Sequence, residues 1–165
     1  ADATLVNPLR LPPEWVSELE YSLVLAYTGT SRLSATIIED QARNFAEGAP
    51  DAVAAMEETK AAATEMKRLL LTGQFRAFGE ALDRAWQTKK RMSGQISTGS
   101  IDAVYAAARA AGALGGKVSG AGGGGFMFFF TDFDRRHAVE AALRAAGAET
   151  VHFGFSDAGL QTWTR

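Results

Sequence analysis

The stretch Gly115–Phe130 reads GGKVSGAGGGGFMFFF and decides the fold. Seven glycines fall within residues 115–125, and the unbroken apolar run Phe126–Phe130 follows them. An apolar run of this length predicts a central strand of the sheet. Glycine loses more backbone entropy on folding than any other residue, so a cluster of seven indicates positive φ angles or a close approach by another group.

Two interpretations of the glycine cluster stay open on the residues alone. In one, the glycines allow a tight hairpin that packs against an alanine-rich helix. In the other, the backbone amides cradle an anion, and Lys117 and Ser119 add a cation and a hydroxyl group. The dinucleotide fingerprint and the Walker A loop are both rejected, because these glycines open a strand and the lysine precedes them.

The rest of the chain predicts a helical middle with strands on either side. Three- and four-residue apolar spacings predict helices that begin near Leu33, Pro50, Phe75, Ser100 and Asp132 or Asp134. Extended, apolar segments predict strands over Leu5–Leu11, Ser22–Tyr27, Lys117–Ser119, Phe126–Phe130 and Thr150–Phe155, with a last extended piece ending at Trp163. The order predicts an α+β domain in which helices pack on one face of a mainly antiparallel sheet.

Length and composition narrow the class of protein. The 165 residues fit one domain, taken as residues 1–165, and the net charge of −2 gives no long-range attraction for nucleic acid or acidic membranes. Without cysteine there are no disulfides or thiolate metal ligands, and His137 and His152 lack partners at metal spacing. We therefore expect a cytoplasmic protein with no metal site and no nucleic acid or membrane partner.

The run Gly116–Phe126 resembles the third, C-terminal glycine-rich motif of the GHMP kinases, the superfamily of galactokinase, homoserine kinase, mevalonate kinase and phosphomevalonate kinase. Upstream, Tyr27–Ser34, Trp86–Lys90 and Ile101–Tyr105 resemble the heptose phosphate branch, that of D-glycero-D-manno-heptose 7-phosphate kinase, with fucokinase-like members close by. The resemblance covers nearly the whole chain. It implies a ferredoxin-like C-terminal kinase domain.

The resemblance also implies that the complete enzyme has two domains with different binding functions. ATP and Mg²⁺ are expected to bind mainly to an N-terminal kinase domain, whose glycine- and serine-rich motif has no counterpart in this chain. No catalytic residue is therefore assigned here, and the isolated chain is expected to be inactive. Four residues are expected to support the ATP phosphate loop at the interdomain cleft: Gly120, Ala121, Gly122 and Gly123.

Four other residues are candidates for binding a sugar or sugar-phosphate substrate, with a heptose phosphate implied by the resemblance. They are Ser31, Arg32, Lys89 and Lys117. The first two fall at the predicted start of a helix, where amide and hydroxyl groups favour a phosphate. Lys89 lies beside Lys90 and Arg91, and basic residues at a helix end also simply complement the helix dipole.

Two further hypotheses remain at this point. The chain is a noncatalytic sugar-phosphate binding or regulatory module that retains the kinase fold, or it is a structural domain that forms a homodimer through an apolar surface. An apolar patch near the glycine cluster would favour association with another domain or copy.

Overall fold

The computed structural model describes residues 7–29, 34–156 and 159–163. The helices within them are α1 (Pro13–Ser22), α2 (Ser34–Ala46), α3 (Pro50–Leu71), α4 (Phe75–Lys90), α5 (Gly99–Ala110) and α6 (Arg136–Ala145). The strands are β1 (Leu23–Tyr27), β2 (Ala113–Val118), β3 (Phe126–Thr131) and β4 (Glu149–Val151). No helix of this part of the chain is long and apolar enough to cross a membrane.

The strands form one antiparallel sheet in the order β2-β3-β1-β4. After α1, the chain order is strand, helices, two strands, helix and strand, which is the ferredoxin-like arrangement. The α+β class and the antiparallel sheet are confirmed, and β3 lies inside the sheet as the apolar run Phe126–Phe130 predicts.

The main core lies between one face of the sheet and the helices. Val24 of β1 pairs with Phe129 of β3, and both side chains are almost fully buried on this face. Tyr105 of α5 stacks near Phe129 with ring centroids 5.9 Å apart, and Val139 and Leu143 bring α6 into the same cluster. Burying each large apolar side chain stabilises the fold by about 1.5–3 kcal/mol.

The opposite face of the sheet is covered at one end. There Phe130 packs against Phe75 and Phe78 at the start of α4, and Trp15 of α1 contacts Phe75 edge-on. At the other end, beside the glycine cluster, the side chain of Phe126 remains 43% exposed. The sheet therefore presents an apolar surface where it meets the glycine loop.

The prediction of a strand over Leu5–Leu11 is wrong for the residues that the structure describes. Residues 7–12 form no strand, and α1 follows directly. Proline usually breaks a helix, but Pro13 opens α1. The first helical position tolerates proline because its missing N–H would have no partner there.

Three predicted boundaries also shift. Thr98 caps α5 instead of Ser100, since its hydroxyl accepts a hydrogen bond from the Ile101 amide at 3.3 Å. Neither Asp132 nor Asp134 caps α6, which begins at Arg136 without a side-chain cap. The predicted strand Thr150–Phe155 shortens to β4, and the last extended piece contains no strand over 159–163.

Helix α4 lies directly on β2 because two glycines remove the side chains between them. A Cβ atom on Gly115 would lie 2.2 Å from the carbonyl oxygen of Gly79 and 2.5 Å from the amide nitrogen of Asp83. A Cβ atom on Gly79 would lie 2.6 Å from the Phe130 ring. No other residue fits at these positions without moving the helix away from the strand.

We expect Gly115→Ala to lower the free energy of unfolding by roughly 1–3 kcal/mol, because overpacking forces backbone shifts. Urea denaturation measures this change. Gly99→Ala is the matched control, since nothing lies within 4 Å of its Cβ position at the start of α5. Equal unfolding midpoints for the two variants would contradict the close α4–β2 contact.

Candidate functional site

The loop Ser119–Gly125 connects β2 to β3 and forms the candidate site. Its ends are joined by a hydrogen bond from the Ser119 amide to the Phe126 carbonyl oxygen, at 2.7 Å. The four consecutive glycines Gly122–Gly125 have φ angles between +76° and +129°. Only glycine adopts such a run at low cost, so the cluster forms a wide loop with a fixed backbone.

Two carbonyl groups of this loop are held from the first half of the chain. The Thr28 amide and hydroxyl, just after β1, donate to the Gly125 carbonyl oxygen at 2.9 and 3.0 Å. The Gln41 side chain of α2 donates to the Ala121 carbonyl oxygen at 3.4 Å. Because these carbonyls point to the body of the domain, the loop keeps one orientation.

The segment between α4 and α5 contacts the backbone of the loop and supports it. The Gly123 amide donates to the Ile96 carbonyl oxygen at 2.8 Å. A Cβ atom on Gly122 would lie 2.8 Å from the same carbonyl oxygen, so the two backbones touch. Any side chain at Gly122 would push the loop off this support.

Helix α2 holds the supporting segment in turn. The Asn44 side chain donates to the Met92 carbonyl oxygen at 2.9 Å, and the Ser93 hydroxyl donates to the buried carboxylate of Asp40. This role of Asp40, Gln41 and Asn44 was not predicted from the sequence. Their signal was present as three polar residues at three- and four-residue spacing on a helix that buries Ile37.

The loop residues differ in exposure, since Gly120 is exposed, Ala121 is half-buried, and Gly122 and Gly124 are buried. Within residues 7–29, 34–156 and 159–163, no hydrogen bond is donated by the amides of Gly120, Ala121, Gly122 and Gly124. Successive amides in positive-φ conformations form concave sites that attract anions. The loop thus has positive-φ backbone of the kind found in anion sites and also forms the hairpin connection of β2 and β3, so both interpretations of the glycine cluster stay open.

Two half-buried lysines stand at the start of the loop. The Lys89 ammonium group donates to the Gly120 carbonyl oxygen, and the Lys117 ammonium group lies 5.8 Å from the centroid of the Phe128 ring. Burial and the charge of Lys117 lower the pKa of Lys89 to about 8, and burial also lowers the pKa of Lys117. The structure thus brings together two of the four predicted substrate residues.

The two basic residues that follow Lys89 form ion pairs with carboxylates. Lys90 lies 3.5 Å from the carboxylate of Asp102, and Arg91 pairs with Glu58 of α3. Lys89 forms no such ion pair within the described part of the chain. Of the three basic residues, only Lys89 faces the loop without a carboxylate.

Ser31 and Arg32 lie outside the described residues, and their role as substrate residues stays a prediction. Residue Ser34, two positions after Arg32, begins α2. Across the described ranges, no group of three or more His, Asp or Glu residues could hold a metal ion.

Residues 66–149, just over half of the chain, match the family described as GHMP kinases C terminal. This chain belongs to that family. The matched region contains α4, α5, the glycine loop and β3, so the resemblance seen at Gly116–Phe126 is confirmed.

Individual relatives agree with this family. The chain is 35% identical over 96% of its length to a D-glycero-alpha-D-manno-heptose 7-phosphate kinase from Campylobacter jejuni. A crystal structure of a D-glycero-D-manno-heptose 1-phosphate kinase from Bacteriodes thetaiotaomicron matches 97% of this chain and 42% of its own, with 28% identity and a TM-score of 0.64. The chain spans 46% of the length of the Campylobacter protein.

A more distant structure shares the fold. L. major mevalonate kinase, in complex with R-mevalonate, matches 74% of this chain and 37% of its own, with 21% identity and a TM-score of 0.68. The GHMP kinase C-terminal fold therefore accommodates large sequence differences.

In this GHMP kinase C-terminal domain, we expect the free energy of unfolding to rise with pH between about 8 and 10.5. Lys89 has a lower pKa when folded than its ordinary value of 10.5, so the unfolded chain binds more protons in that window and loses them as pH rises. Urea denaturation at several pH values measures the slope.

The rise should be smaller in Lys89→Met, which removes the titrating group. Lys60→Met is the matched control, because Lys60 is exposed on α3 and only pairs with Glu57. An unchanged slope in Lys89→Met would contradict a depressed pKa at this position.

Proposed function

We propose that this chain is the C-terminal domain of an ATP-dependent sugar-phosphate kinase that acts on a heptose phosphate. The observation that carries the proposal is the run Gly122–Gly125, whose φ angles are all positive. The run is held by the hydrogen bond from the Gly123 amide to the Ile96 carbonyl oxygen, and several other loop amides donate no hydrogen bond to the described residues. Its sequence lies in a chain that is 35% identical over nearly its whole length to a heptose 7-phosphate kinase. The acceptor is inferred from that relative and from the heptose 1-phosphate kinase structure.

The loop acts by position and not by covalent chemistry. Phosphoryl transfer depends on alignment and on stabilising the charge that spreads over the moving phosphoryl group. Amide dipoles that are fixed before the reaction provide such stabilisation without reorganising. Gly120, Ala121, Gly122 and Gly123 therefore form a rigid wall that supports the phosphates of ATP.

The acceptor sugar is bound partly by this domain. Ser31 and Arg32, which precede α2 in the sequence, are the proposed sources of a hydroxyl and a guanidinium group, and Lys89 and Lys117 are the proposed sources of two ammonium groups. Helix α2 itself holds the glycine loop through its Gln41 side chain.

ATP and Mg²⁺ bind mainly to an N-terminal kinase domain in the whole enzyme. The described residues of this chain fit phosphate groups but offer no carboxylate cluster for a metal ion. Mg²⁺ in such enzymes neutralises phosphate charge during transfer. By the resemblance to GHMP kinases, its ligands and the catalytic residue are assigned to the N-terminal domain.

The surface beside the loop supports association with another domain. Phe126 is 43% exposed and contacts Tyr27, with ring centroids 5.3 Å apart. A partner domain that covered the Phe126 ring would remove its exposed apolar surface from water. Its own N-terminal domain is the proposed partner, a homodimer is the alternative, and a cytoplasmic location is expected for an enzyme of sugar phosphates.

The deciding experiment is a coupled ATP-consumption assay on the complete gene product with heptose phosphates and simple hexoses. We expect turnover of a heptose phosphate and much weaker turnover of unphosphorylated hexoses. If the complete gene product binds sugar phosphates but turns none of them over, it is a binding or regulatory module.

Gly122→Ala should lower kcat by roughly 100-fold, because a small displacement of the loop spoils alignment. The thermal unfolding midpoint is measured in parallel. Gly94→Ala is the control, since its Cβ position meets nothing within 4 Å and it lies outside the loop. A normal kcat in Gly122→Ala would refute the role of the loop.

A further inference from the structure

Lys89 and Lys117 approach the start of the glycine loop from different elements. Lys89 is the penultimate residue of α4 and donates to the Gly120 carbonyl oxygen. Lys117 lies in β2, three residues before Gly120. Both side chains are half-buried. The close contact of α4 with β2 therefore brings the two lysines near enough for the charge of Lys117 to act on Lys89.

This pair of cations has no carboxylate beside it. Neither Lys89 nor Lys117 forms an ion pair in the ranges 7–29, 34–156 and 159–163. The Phe128 ring attracts the Lys117 cation without neutralising its charge. Two like charges that are partly desolvated and unneutralised raise the free energy of the folded chain, and an anion between them would lower it.

The titration behaviour of the lysines agrees with this geometry. Desolvation, followed by the charge of Lys117, lowers the pKa of Lys89 to about 8. Desolvation lowers the pKa of Lys117 as well. Both charged forms are therefore disfavoured where they stand, and a bound anion would raise both pKa values towards the ordinary range.

We infer that Lys89 and Lys117 form a subsite for the phosphate monoester group of the acceptor sugar, beside the loop amides but distinct from them. That the ligand is a sugar phosphate rests on the proposed function. A phosphate monoester brings close to two negative charges and three acceptor oxygens. The Lys89 ammonium has three N–H groups, of which one is used by Gly120, so two remain for the ligand.

The chemistry of the two donor sets separates the acceptor phosphate from the transferred phosphoryl group. The loop provides neutral amides, which suit a group whose charge shifts between oxygens during transfer. The lysines provide full charges, which suit a phosphate that stays unchanged. Because Lys89 also contacts the Gly120 carbonyl group, the acceptor phosphate is connected to the loop through the Lys89 side chain.

The test is a titration of lysine side chains by NMR in the 165-residue chain with ¹³C-labelled lysine. The probes are inorganic phosphate, glucose 6-phosphate, glucose and the nucleotide analogue AMP-PNP. Phosphate and glucose 6-phosphate should raise the pKa of Lys89 and Lys117, and glucose should leave both unchanged. The titration is repeated on the complete gene product, so that the folding of the isolated chain does not decide the result.

Lysine variants test whether phosphate binding depends on Lys89 and Lys117. Lys89→Met and Lys117→Met should each weaken glucose 6-phosphate binding by about tenfold or more, since each removes one of two charges that hold a dianion. Lys60→Met changes the net charge equally and should leave the affinity unchanged. A loss of equal size in Lys60→Met would show that the anion senses only the overall charge, and would overturn the subsite.

The remaining outcomes distinguish the sources of phosphate. If AMP-PNP alone raises the pKa of Lys89 and glucose 6-phosphate does not, the lysines hold nucleotide phosphate and the acceptor assignment is wrong. Phosphate binding at the lysines without turnover of heptose phosphates would keep the subsite and refute the proposed function. If the complete gene product turns over heptose phosphates and Lys89→Met leaves the KM for the heptose phosphate unchanged, the proposed function stands and the subsite is refuted.

Discussion

The backbone contact between α4 and β2 is the constraint on which the rest of the structure depends. Gly79 and Gly115 let helix and strand touch without side chains between them. One end of α4 then packs on Phe130, and the other end brings Lys89 to the Gly120 carbonyl group. Gly79 and Gly115, which lie outside the loop, thus determine the position of Lys89 beside the loop.

The loop itself is fixed by three separate parts of the chain. Thr28 after β1, Gln41 of α2 and Ile96 before α5 each hold one of its backbone groups. None of these contacts involves the amides that remain for a ligand. The glycines supply the conformation, and the surrounding elements supply the rigidity that a flexible sequence lacks.

Sequence patterns predicted the elements whose signals are local. The apolar run Phe126–Phe130 indicated the interior strand, and Pro50 marked the start of α3, because both features act within a few residues. Helix α1 was missed because proline both breaks helices and starts them, and only packing of Trp15 on Phe75 decides between the two. The support of the loop by Asn44 and Ile96 depends on contacts between distant residues, which no local pattern contains.

The left-handed glycines at Gly122–Gly125 have a consequence for how specificity is encoded. Their identity is demanded by backbone geometry, and they present only peptide groups, which every protein possesses. Such a surface cannot discriminate one sugar from another. If the loop binds phosphate as proposed, the choice of acceptor therefore depends on side chains around the loop.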